Sequence, residues 1–140
     1  MKDLDIELKN FRYVARSPAI PILVKGWAHL IESNWCSIHA VLLESEHSVI
    51  VAYDQDQMVG ALTYSLHPAE DCACIHLLMV EEQHRRRGIG TALQSRLMEI
   101  AQAQDIGSVQ GTVTANNKVS AASAQSTGRV PRYVTYELEF

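Results

Sequence analysis

The sequence predicts a mixed α/β (α+β) fold: a central, mostly antiparallel mixed sheet of about six strands, flanked by helices. Three features carry that expectation. Two β-rich segments, Val49–Tyr53 and Met58–Leu66, flank the polar run Asp54-Gln55-Asp56-Gln57 and read as a hairpin. A third apolar run, Cys72–Val80, follows the polar connection His67–Asp71 and is apolar enough to be buried on both faces. From Ile89 onward the periodicity changes to helix, strand, helix and strand, the pattern of βαβ units. The chain has 140 residues, the length of one ordinary domain, and 1–140 is read as a single domain.

The elements follow in order. Ile6–Val14 reads as a first strand. Pro21 has no amide proton to lose in a first helical turn, so the first helix is expected to start near it. Leu23, Trp27, Leu30 and Ile31 keep the i, i+4, i+7, i+8 spacing of one buried face. Asn34 and Trp35 interrupt it, and Ser37 can cap a short second helix that turns Ile38, Val41 and Leu42 inward. After the three strands, Glu81–Arg87 is a charged loop. Ile89, Leu93, Leu97 and Ile100 mark a helix that ends near Gly107, and Val109–Thr114 is a strand. Lys118–Ser126 is rich in Ala and Ser and plausible as a helix stopped by Gly128; Tyr133–Phe140 alternates as a closing strand. The order is β-α-α-β-β-β-α-β-α-β.

Composition excludes several classes. Apolar residues make up 47% and charged residues 20%, which is ordinary globular usage and rules out disorder, collagen and low-complexity scaffolds. Twelve basic against sixteen acidic residues give a net charge of −4, a poor footprint for tight nonspecific nucleic-acid binding. The longest apolar run falls well short of the ~18 residues of a membrane span. Met1–Asp5 lacks the basic-then-apolar layout of a signal peptide. Cys36, Cys72 and Cys74 are an odd, sparse set, against a disulfide framework and for a reducing compartment. A cytoplasmic protein is expected.

The segment that carries chemistry runs from Val80 to Leu93: a strand end, the basic triplet Arg85-Arg86-Arg87, then Gly88, Ile89, Gly90 and Thr91 opening an amphipathic helix. The first N–H groups of a helix have no intrahelical acceptors, and the helix dipole favours an anion there. Glycines allow close approach to the backbone, and arginines suit phosphate. A pyrophosphate is the natural tenant. Two familiar phosphate motifs fail: no Gly-Lys-Ser/Thr follows Gly90, and Leu93 stands where a dinucleotide fingerprint needs its third glycine.

The pattern Arg85-x-x-Gly88-x-Gly90, preceded by Leu78-Met79-Val80, resembles the acyl-CoA loop of the GNAT N-acetyltransferase family. The order of elements is similar to that family's, as is the spacing from Asn117 to Gly128. The resemblance implies a GNAT fold splayed open at a CoA slot beside the strand ending at Val80. It implies that main-chain groups of Leu78 and Val80, with Met79 between them, hold the pantetheine arm. Arg85, Arg86, Arg87, Gly88, Ile89, Gly90 and Thr91 would cradle the pyrophosphate, and Asn117 would reach the pantetheine. Acetyl-CoA is the implied cosubstrate.

The sequence departs from the family at two places. The tyrosine usual seven residues after the asparagine is Ala124, and the phenylalanine usual after the glycine is Arg129. Ser120, Ser123, Ser126, Tyr133 and Tyr136 are the remaining hydroxyls for a general acid. For the base, the glutamate of histone-acetylating relatives falls near Cys74, and His76 shares that strand face. Histidine has the pKa for the task. The competing reading makes His76 a buried histidine satisfied by a backbone carbonyl, with Glu70 and Asp71 acting through water. Cys72, Cys74 and His76 invite a metal reading, but ligands ~7 Å apart along one strand do not converge on one ion. Core packing is the better account, and no metal is expected.

The resulting expectation is transfer of the acetyl group of acetyl-CoA to a primary amine of a small molecule or protein. The alternative is a catalytically inactive acyl-CoA-binding module of the same fold. The ending around Val134-Thr135-Tyr136 is similar to that of some aminoglycoside 6′-N-acetyltransferases. It leaves a sheet edge that a second copy can pair with, so a homodimer is expected.

Overall fold

A computed structural model describes residues 5–33, 47–112, 117–134, 136, 138 and 140. Its strands are β1 (Ile6–Phe11), β2 (Ser48–Asp54), β3 (Gln57–His67), β4 (Cys72–Val80) and β5 (Val109–Gly111). Its α-helices are α1 (Ile20–Glu32), α2 (Ile89–Ala103) and α3 (Lys118–Ser126). The strands form one sheet in the order β1-β2-β3-β4-β5, antiparallel from β1 to β4 and parallel between β4 and β5. This is the mixed sheet flanked by helices that the sequence predicts. No helix among the described residues is long and apolar enough to cross a membrane.

The β2–β3 hairpin closes on Asp54 opposite Gln57, with Gln55 in the left-handed region at φ 57°. The sheet carries a core on each face. On one, Ile89, Leu93 and Leu97 of α2 pack on Ile50, Leu62, Tyr64 and Ala73. On the other, Ile22 and Leu23 of α1 pack on Val49, Val51, Ala61, Leu77 and Met79. The inward face of α1 is rotated from the expected one: Ile31 is exposed, while Ile22 and Gly26 are buried. Gly26 explains the rotation. A Cβ there would stand 2.9 Å from Met79 Cβ, so the absent side chain lets α1 settle onto β4.

Both long connections after helices use the same stop. Asp105, at φ 58°, follows α2, and the amides of Asp105 and Ile106 bond the carbonyls of Gln102 and Ala101. That is a Schellman motif, and it ends the helix before the expected Gly107. After α3, Gly128 at φ 88° plays the same part: the amides of Gly128 and Arg129 bond the carbonyls of Gln125 and Ala124.

Two expectations change. The sheet has five strands among the described residues, not six: Tyr133, Val134, Tyr136, Leu138 and Phe140 are exposed and join no ladder. Their alternation lacks a described neighbour to pair with, and alternation alone does not make a strand. The first strand stops at Phe11, because Val14–Arg16 turns as a short 3-10 helix whose Val14 amide bonds the His47 carbonyl. The second helix expected at Ser37, Ile38, Val41 and Leu42 lies outside the described residues, as do Val113 and Thr114.

Leu93 is fully buried where α2 meets the sheet. Leu93→Ala is expected to lower unfolding free energy by about 2–5 kcal/mol in chemical denaturation, the cost of a core cavity.

Candidate functional site

The site begins where β4 and β5 part. Their pairing has three rungs, Ala73 to Val109, Cys74 to Gln110 and Ile75 to Gly111. From His76 to Val80, β4 has only β3 beside it among the described residues. Five residues at ~3.3 Å each make about 16 Å of β4 with no described partner on that side, and 113–116, which follow β5, lie outside the described residues. Main-chain groups on such an edge accept an extended ligand as they would another strand. Leu78, Met79 and Val80 all lie along it.

This stretch of β4 leads into the loop before α2. Glu81 N–H bonds the Val59 carbonyl, and Glu82–His84 makes one 3-10 turn. Arg86 and Gly88 both take left-handed conformations, at φ 63° and 80°. Gly88 is the N-cap of α2 and has no side chain to cap it. Among the described residues, the amides of Ile89, Gly90 and Thr91 therefore point out of the helix with no acceptor. A Cβ on Gly90 would only touch Leu78 and Val80, at 3.9 Å, so Gly90 keeps the ground in front of these amides open.

The three arginines do not act as one patch. Arg85 donates from Nε to the Val80 carbonyl at 3.1 Å and so fastens the loop to the end of β4. Arg87 reaches across to Asp54 in the β2–β3 turn at 2.9 Å and to His84 Nδ1 at 2.8 Å. Arg86 bonds no described side chain and stands exposed. Arg85 and Arg87 thus brace the loop.

Asn117 is buried and caps α3, its Oδ1 accepting the Ser120 amide at 3.1 Å. Behind it lies a polar joint between α2 and α3. Gln94 is fully buried; its Nε2 bonds the Gly90 carbonyl at 3.2 Å and Ser123 Oγ at 3.0 Å. Its Oε1 accepts from Nη2 of Arg129, whose Nε contacts Thr127 Oγ1 at 3.4 Å. Burial pushes the Arg129 pKa down.

On the α1 side of the sheet, β4 carries a bulge. Thr63 pairs with Leu77 and Tyr64 with Ile75, leaving His76 as the extra residue. Bulges re-aim side chains. The His76 ring stacks on His47, centroids 3.8 Å apart and 5° from parallel. Its Nε2 lies 2.6 Å from Ser65 Oγ, which in turn lies 2.7 Å from His67 Nε2. One hydroxyl has one proton, so Ser65 donates to one imidazole and accepts from the other. His76 is exposed and bonded to a hydroxyl, which corrects the reading of a buried histidine satisfied by a carbonyl. Asp71 is also committed: its carboxylate accepts the Gly107 amide at 2.7 Å, tying β4 to the start of β5.

Sequence reasoning missed His47, Ser65, His67, Gln94 and Asp54. A register argument was the one available signal. The turn His67–Asp71 sets Ser65 opposite Cys74, which brings the polar faces of β3 and β4 together.

The folded chain resembles a known class. A single mixed sheet leads from the end of β4 into a helix whose N-terminal amides have no acceptor among the described residues. The sequence profile of the Acetyltransferase (GNAT) family matches residues 11–128, and the chain belongs to that family. The L-2,4-diaminobutyric acid acetyltransferase of Shouchella clausii (strain KSM-K16) is 37% identical over 78 residues, 55% of this chain and 44% of that protein. The chain therefore aligns with less than half the length of this relative. Among solved structures, an aminoglycoside acetyltransferase from an uncultured soil metagenomic sample, in complex with sisomicin, superposes with a TM-score of 0.71 at 19% identity, covering 97% of both chains. The ribosomal-protein-alanine N-acetyltransferase of Brucella melitensis biovar Abortus 2308 gives 0.70 at 13% identity, over 96% of this chain and 99% of that one. At these identities the structural likeness speaks to the fold.

Cys72 and Cys74 place their sulfurs 3.7 Å apart. Among the described residues, no group of three His, Cys, Asp or Glu is arranged to hold a metal. Burial, and then the Cys72 thiol, push the Cys74 pKa up to about 11. A raised thiol pKa means less thiolate at neutral pH, so Cys74 is a packing residue and not a nucleophile. Alkylation of Cys74 by iodoacetamide at pH 8, followed by mass spectrometry, is expected to run on the order of a hundredfold slower than for an unperturbed thiol.

Proposed function

We propose that the protein transfers the acetyl group of acetyl-CoA to a primary amine. The observation that carries this reading is the stretch of β4 from His76 to Val80, unpaired on one side among the described residues and running straight into the uncapped N-terminus of α2. The residues present fit the cosubstrate. Amides of Gly88, Ile89, Gly90 and Thr91 face outward for a diphosphate, with Arg86 beside them. Main-chain groups of Leu78 and the amide of Val80 are available to the pantetheine amides, and Asn117 has its Nδ2 donors to offer. Arg85 and Arg87 hold the loop in shape.

The thioester supplies an activated acetyl carbon. The protein's share is to hold the amine against it and to take the amine's proton. His76 is the base in this reading. It stands at the mouth of the gap, aimed by the bulge and oriented by Ser65 and His47. Ser65 Oγ links His76 Nε2 to His67 Nε2. Ser65 can then pass charge toward exposed His67. The acceptor class is a primary amine, supported by the diaminobutyrate and aminoglycoside acetyltransferases among the relatives and consistent with the net charge of −4.

Calorimetry with acetyl-CoA, followed by thiol-release assays against diamino acids, aminoglycosides and basic peptides, tests the reading. Binding with turnover of an amine is expected. No binding at millimolar acetyl-CoA contradicts it, and binding without turnover on any amine favours an acyl-CoA-binding module. His76→Ala is expected to lower kcat about tenfold or more with the fold intact, and an unchanged rate removes His76 as base. Gly88→Val, strained at φ 80°, is expected to raise the acetyl-CoA KM with little effect on kcat.

A further inference from the structure

Arg129 is the one half-buried guanidinium near the parting of the sheet, and it has no carboxylate within ion-pair distance among the described residues. A desolvated cation without a counter-charge is costly to keep. Its place is fixed from three sides. Gly128 turns the chain at the end of α3 so that Arg129 folds back over its own helix, its amide bonded to the Ala124 carbonyl. Gln94 of α2 and Thr127 take one N–H each from Nη2 and Nε.

Gly111 provides the room on the third side: a Cβ there would stand 3.1 Å from Arg129 Nη1 and 3.4 Å from Ile75 Cβ. Ile75 and Gly111 form the last paired rung of β4 and β5. Nη1 therefore lies beside the last described rung, on the α2 side of the sheet, and this rung is taken as the vertex of the gap. His76 and Ser65 lie at the same vertex on the opposite side, the face that carries Ala61 and Leu77.

We propose that Arg129 is the electrostatic partner of the departing thiolate. The inference rests on the acetyl-CoA reading above. With the diphosphate at the N-terminus of α2, the arm runs back along β4 and brings its sulfur to the vertex. The amine nitrogen attacks the acetyl carbon from the His76 side and gives up its proton to that base. The carbon–sulfur bond breaks, and its electron pair stays on sulfur. The unpaired N–H donors of Arg129 then face the new negative charge. Guanidinium stays protonated, so it stabilises the thiolate by charge and hydrogen bonding and does not act as the acid. The described groups that touch the guanidinium, Gln94, Thr127 and Gly111, do not titrate. The other charged groups along the gap, His76 and Arg85 to Arg87, are left unchanged by the variants below.

The test is the ionisation of bound CoA, read from thiolate absorbance across a pH titration at saturating protein. In the wild type the midpoint is expected to fall about one pH unit or more below that of free CoA, as a neighbouring cation lowers the pKa of an acid. In Arg129→Gln it is expected to return to the free value. kcat is expected to drop on the order of a hundredfold while the acetyl-CoA KM moves little. Gly111→Ala, which crowds Nη1 without removing the arginine, should raise the midpoint as well, and it carries the test if the glutamine variant melts early. A bound-CoA midpoint equal to that of free CoA in the wild type, or one unchanged in both variants, overturns the proposal. Failure of the wild type to bind CoA at all overturns the acetyl-CoA reading itself, a different result from binding with an unshifted thiol.

Discussion

The rest of the site depends on the end of β4 that runs past its described pairing with β5. Three described rungs hold the two strands, and Asp71 reinforces that end by accepting the Gly107 amide while its own carbonyl accepts from Ser108. Beyond the last of these rungs the main-chain groups of β4 have no described strand beside them on that side, an arrangement a protein ordinarily covers. Here that stretch begins at the bulge of His76 and ends at the N-terminus of α2. Helix amides, strand amides and a candidate base thus fall along one line.

The two faces of the sheet divide the work. The α2 face supplies the large apolar core and, at its margin, the Gln94–Arg129–Ser123 joint that binds α3 to α2. The α1 face supplies a second core that gives way to a polar cluster of His47, Ser65, His67 and His76. The gap joins them.

Much of this was legible in the sequence. The limits of β4 follow from a run between Asp71 and Glu81 that is apolar except for His76, and the start of α2 from Gly88 and Ile89, because local composition decides both. The stop at Gly128 was legible for the same reason: a residue that tolerates positive φ is needed there. Residues acting through register were not legible. The bulge that turns out His76 depends on how β3 aligns with β4, and the stacking of His47 on His76 depends on where β2 begins. The partners of the basic triplet were not legible either: Asp54 and the Val80 carbonyl, distant or main-chain groups, engage two of the three arginines. The closing strand expected at Tyr133–Phe140 joins no ladder among the described residues, because alternation reports a preference while pairing requires an edge within reach.

Amide hydrogen exchange with and without CoA tests the central claim most directly. If this stretch of β4 and the N-terminus of α2 are the binding surface, saturating CoA will slow exchange at Leu78–Val80 and at Gly88–Thr91, and will leave β1 and the β2–β3 turn unchanged. Protection that appears elsewhere, with these two segments exchanging as in the free protein, would contradict it.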